Sequence, residues 1–131
     1  MSGVANADRE SFYALHLDVR HTIVDIDKVS TGSMTGVEVH PVEVFRGALL
    51  SGARGLIFVH NHPSANPAPS QQDVALTGRL KEAGELLGIP VLDHIIVGGH
   101  ECRSLREQGL LGGSKSSDYP LLVDKPPRKK G

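Results

Sequence analysis

The sequence has a single cysteine, Cys102, no tryptophan, and only three phenylalanines and two tyrosines in 131 residues. One cysteine excludes an internal disulfide and fits a reducing compartment, so cytoplasmic residence is the expectation. No apolar run approaches the roughly 18 residues of a membrane span, and no charged-then-apolar leader opens the chain, which points away from a membrane partner. An excess of one charge is also missing: 14 Lys and Arg stand against 15 Asp and Glu, a formal net charge of −1. That balance creates no field to draw in a polyanion, so DNA association is only weakly supported. The one concentrated basic feature, Arg128-Lys129-Lys130 behind Pro126-Pro127, reads as a solvated terminus. The pairs Gly98-Gly99 and Gly112-Gly113 do not form a phosphate-binding pattern, and no nucleotide cofactor is implied.

What is present suffices for one core, since 39% of the residues are hydrophobic. Residues 1–9 read as a flexible lead-in, 10–113 as the domain, and 114–131 as a surface-wrapping or disordered tail with a basic end. Strands are predicted over 12–19, 22–29, 56–59 and 91–97, with a short extended piece at 102–105. Ser30 to Gly36 reads as a loop. Pro41 suits the first turn of a helix, and Glu43 sits where negative charge is favoured; Gly52 or Gly55 can end that helix. Pro63, Pro67 and Pro69 forbid regular structure before Ser70, which caps a second helix over 71–87 closed by Gly88. Strands, helix, strand, helix, strand predict an α/β (α+β) domain, a mixed β-sheet flanked by helices.

The chemistry concentrates where the apolar strand Leu56–Val59 runs into His60-Asn61-His62-Pro63. A period of two turns both imidazoles to one side of the strand. Asp73, in the first turn of the next helix, can close the set. Two imidazoles and a carboxylate suit Zn2+ with a fourth position left for water. Ser70 and Asp73 also have the spacing of a reciprocal helix cap, although glutamate or glutamine is the usual partner. Hydrolysis further needs a group to accept and return a proton, for which Glu10 and Glu43 are the upstream candidates. Glu10 is modestly favoured, because sheet pairing can bring it beside the strand of His60.

The run HNHPSANPAPSQQDVALTGRL, followed by LGIPVLDHIIVGG, resembles the JAB/MPN/JAMM metalloprotease-like family, and within it the bacterial RadC-like branch. The pattern H-x-H-P, a short spacer and S-x-x-D is in register, and the resemblance runs from about Glu10 to Leu111. It implies a JAMM-like, cytidine-deaminase-like architecture, with zinc on His60, His62 and Asp73. It further implies Ser70 as oxyanion stabiliser and the upstream glutamate, registered here as Glu10, as general acid/base. The implied activity is a zinc metallopeptidase or isopeptidase acting on a peptide or protein conjugate. RadC-like proteins carry an old DNA-repair label, and their relatives often have a helix-hairpin-helix region that these 131 residues do not contain. Ala65-Asn66 departs from the Gly-Asp common in the branch after H-N-H-P-S.

Two other classes compete with an enzyme: a noncatalytic zinc-containing module associated with protein or DNA, in repair or a mobile element, and a scaffold that self-associates as a homo-oligomer. Asp93 and His94, adjacent in a strand, face opposite sides and cannot easily share a metal, so His94 is expected to be structural or to orient a ligand. His16, His21, His40 and His100 show no ligand spacing, and Cys102 is expected to be a small buried filler.

Overall fold

The computed structural model describes residues 10–31 and 39–111. The expected lead-in, the loop glycines Gly32 and Gly36, Gly112-Gly113 and the tail lie outside the described residues. Within them a five-stranded sheet has the order β2-β1-β3-β4-β5: β1 is Ser11–Leu17, β2 Ile23–Thr31, β3 Gly55–Asn61, β4 Val91–Gly98 and β5 Glu101–Ser104. The β3–β4 pair is parallel and the others are antiparallel, so the sheet is mixed, as expected. Helix α1 (Pro41–Ser51) connects β2 to β3, and α2 (Gln71–Leu87) is the crossover between the parallel strands.

β1 stops at Leu17, earlier than its apolar pattern suggests, because the next residue, Asp18, captures the chain. Its Oδ1 accepts from the backbone N–H of Arg20 at 2.8 Å and of Thr22 at 2.9 Å, closing a turn. β2 conversely runs on to Thr31, into the segment that reads as a loop. The two helices end at Gly52 and Gly88, each in the left-handed conformation.

Alternate residues of β1 and β3 meet the helices in one core: Phe12, Ala14, Leu56 and Phe58 pack with Val44, Phe45 and Ala48 of α1 and Leu80 of α2. Phe12 and Phe58 are fully buried with ring centroids 5.1 Å apart. Burying each contributes about 1.5–3 kcal/mol, which fixes β1 against β3. That pairing sets Phe12 opposite His60. The edge strand β2 leaves Ile23, Val24 and Ile26 exposed. Among the described residues no helix is long and apolar enough to cross a membrane.

Cys102 is exposed rather than buried. β5 is a short edge strand whose first three side chains face solvent, and the chain is anchored instead by the buried Leu105 just beyond it.

Candidate metal centre

β3 carries His60 to the carboxyl end of the sheet, where α2 begins and where ligands commonly reach an α/β sheet. Ser70 ends the proline-rich loop as the N-cap of α2. Its Oγ accepts from the Asp73 N–H at 3.0 Å, and Asp73 Oδ2 accepts from the Ser70 N–H at 2.9 Å. Aspartate thus completes a reciprocal cap, and its carboxylate is immobilised facing the histidines.

His62 Nδ1–H donates to the Asn66 carbonyl at 2.9 Å, so Nε2 is the nitrogen directed at Asp73 Oδ2, 3.1 Å away. His60 Nε2–H donates to Glu10 Oε2 at 2.9 Å, and its Nδ1 lies 3.4 Å from Asp73 Oδ1, buried and without a hydrogen-bond partner among the described residues. Each imidazole therefore has a nitrogen near the Asp73 carboxylate, while the other nitrogen of His62 is taken by the Asn66 carbonyl and that of His60 faces Glu10 in the same cluster. A nitrogen lone pair facing a carboxylate oxygen is repulsive unless a proton or a cation lies between them. Glu10, His60 and His62 also offer ligand atoms within 4.8 Å of one another. The orphaned nitrogen and the nitrogen and oxygen donors fit a small divalent cation.

Burial holds His60 below its ordinary pKa, outweighing the nearby carboxylates of Asp73 and Glu10, so its contact with Asp73 is not that of an imidazolium. His62 is shifted upward, chiefly by its hydrogen bond to Asp73 and against the effect of burial. Burial alone would raise Asp73, yet hydrogen bonds from His62 and the Ser70 backbone outweigh it and hold the carboxyl well below the usual range. A cation at His62 Nε2 would compete with a proton for the same lone pair.

The family model for the RadC-like JAB domain matches residues 1–110. The chain belongs to that family. Among its relatives are UPF0758 proteins of Desulforudis audaxviator and Pelobacter propionicus, each 52% identical over 103 residues, covering 79% of this chain and 45% of the relative. A UPF0758 protein of Methanosarcina acetivorans is 46% identical with the same coverage. The chain spans about half the length of the curated relatives it matches. Membership in the RadC-like JAB family carries a JAMM relationship with it.

Within this RadC-like domain the structure brings Glu10, His60, His62, Ser70 and Asp73 together. It leaves Glu43 on the surface, paired with Arg46 at 3.0 Å. Two supports went unseen in the sequence. Thr77 Oγ–H donates to the Asp73 carbonyl at 2.7 Å and accepts from His94 Nδ1–H at 2.6 Å. Thr77 lies one turn after Asp73 on the buried face of α2, a spacing that could have revealed it. His94 is fully buried, stacks on His60 at 5.7 Å, and is pushed down to about 3, first by burial and then by His60. Asp93 points the other way, accepting from Ser104 Oγ at 2.6 Å, as adjacent strand residues must.

The second support is Gly98. A Cβ there would lie 2.6 Å from the Pro67 nitrogen and 2.7 Å from the Asn66 carbonyl carbon. Only a bare backbone lets the loop lie against β4 and present the Asn66 carbonyl to His62. In that loop Ala65 has φ 69°, a left-handed conformation. A glycine at this position would adopt it without strain.

Proposed function

We propose that this domain is a zinc-dependent metallopeptidase or isopeptidase that cleaves a peptide or isopeptide bond in a protein conjugate. The observation carrying this reading is the convergence of His60 and His62 on Asp73 with Glu10 at 2.9 Å from His60. His60, His62 and Asp73 would hold the zinc, which when bound polarises a carbonyl and lowers the pKa of a water. Glu10, anchored at the mouth of β1, takes the proton of the attacking water and returns it to the leaving nitrogen. Ser70 Oγ accepts from the Asp73 N–H and keeps a proton of its own to donate to the developing oxyanion.

One observation favours a second reading. Glu10 lies close enough to His60 and His62 to act as a further ligand. A centre closed by four protein side chains would be structural, suiting a noncatalytic module associated with protein or DNA. Self-association through the exposed β2 edge would be compatible with either reading.

The test is zinc stoichiometry by metal analysis, followed by a screen of lysine-linked peptide conjugates with the parent chain and Glu10→Gln. The hydrolase reading expects one zinc per chain in both proteins, and turnover that falls about 10²–10⁴-fold in the variant. One zinc with a coordination sphere filled by protein, and no turnover, would support the structural reading instead.

A further inference from the structure

Between the two histidines lies Asn61, which is 1% exposed. The backbone pairing of β1 with β3 reaches Phe12 opposite His60 and goes no further. At the next position Asn61 Oδ1 accepts from the Ser11 N–H at 2.7 Å, in a buried hydrogen bond. An amide side chain thus supplies the carbonyl that a ladder would otherwise present, and continues the pairing by one bond. The residue it pins is the immediate neighbour of Glu10, whose carboxylate accepts from His60.

We propose that Asn61 is the positioning residue for Glu10, tying the mouth of β1 to the strand that carries both histidines. The proposal rests on Glu10 as the proton-handling group of the function proposed above. Its chemical logic is economy of placement: His60 and His62 face the cation, and the residue between them fixes the base. Glu10 precedes β1, so without that bond the carboxylate hangs from a strand end held on its β2 side alone, where Ser11 pairs with Thr31, and a small displacement there is costly to proton transfer. Leucine at this position retains the volume but has no acceptor, whereas aspartate retains the acceptor.

The experiment uses the full metal-free chain with Asn61→Leu, Asn61→Ala and Asn61→Asp beside the parent and a Glu10→Ala reference. NMR reads amide exchange at Ser11 and the His60 Nε2–H signal, and zinc affinity is measured in parallel. Asn61→Leu is expected to speed Ser11 exchange about tenfold. It should also move the His60 signal to its Glu10→Ala position and leave zinc affinity unchanged, with Asn61→Asp restoring both signals. Should the leucine variant fail to fold, Asn61→Ala makes the same comparison. A His60 signal that stays parental without the acceptor, an aspartate variant that behaves like leucine, or loss of zinc binding in Asn61→Leu overturns the proposal. A parent chain that binds no zinc overturns the hydrolase reading instead, and the NMR comparison still decides whether Asn61 holds Glu10.

Discussion

The two helices carry an acid at the same place. Glu43 and Asp73 are each the third residue of their helix, where a carboxylate meets the positive end of the helix dipole. Glu43 is 51% exposed and, among the described residues, pairs with the Arg46 guanidinium, a contact worth at most about 1 kcal/mol in water. Asp73 is 8% exposed and has its cap partner Ser70 and both histidines around it. Position in the helix is therefore neutral about function. The difference comes from what precedes each helix: His40 makes no side-chain cap to α1, whereas Ser70 caps α2 at the end of a loop returning from two histidines.

The sharpest way to break this contrast is to remove each acid. Asp73→Ala is expected to weaken zinc binding by at least about 100-fold. Loss of the cap alone should also cost about 1–2 kcal/mol of stability. Glu43→Ala should leave zinc binding intact and cost less than about 0.5 kcal/mol. Chelator competition and urea unfolding on the same preparations read both effects, and equal losses in the two variants would erase the distinction.

Acid should act on the α2 end in the metal-free chain. His94, pushed down to about 3, stays neutral in the folded state while the unfolded chain takes up its proton near 6.5. The unfolded state then binds more protons between those values, so the His94 contribution to stability is full above about pH 6.5 and falls toward pH 3. One such proton gives a slope of up to about 1.4 kcal/mol per pH unit. The depressed Asp73 carboxyl extends the loss below its ordinary titration range, whereas His62, shifted upward, loses its contribution only as pH rises above 6.5. His94→Asn, which can still donate to Thr77, should flatten the slope of unfolding free energy in the 3 to 6.5 window.

Smaller effects should follow from the loop. Gly98→Ala forces a methyl against backbone atoms of residues 65–67, with an expected cost of about 1–3 kcal/mol by thermal unfolding. Zinc should bind more weakly as the Asn66 carbonyl leaves His62. Ala65→Gly removes a left-handed alanine and should stabilise the chain by up to about 1 kcal/mol, with zinc affinity unchanged. A destabilising Ala65→Gly would mean that the loop's conformation is held by something other than backbone preference.

Much of this was legible in the residues. The β3 run leading into His60, the prolines that break the chain before Ser70, and both ends of α2 are local signals, and local physics decides them. Element boundaries were harder wherever a side chain intervened, as where the Asp18 carboxylate cut β1 short. Cys102 was misjudged because hydrophobicity does not tell an edge strand from a central one. The histidines and Asp73 lie close together along the chain and could be read from spacing. Glu10 could only be preferred over Glu43, because its partnership with His60 spans 50 positions and depends on strand pairing; the family resemblance supplied its register.

That separation has a consequence for the order in which the centre can assemble. The three residues proposed to hold the cation belong to one short stretch, and the closing of a modest loop brings them together. The proposed base, Glu10, arrives only after β1 has found β3, a non-local event with a larger loop-closure entropy. A partly folded chain with β1 detached could therefore capture a metal ion while lacking the group proposed to move protons. Docking of that single strand is the kinetic step that would turn an ion-binding segment into a reactive one.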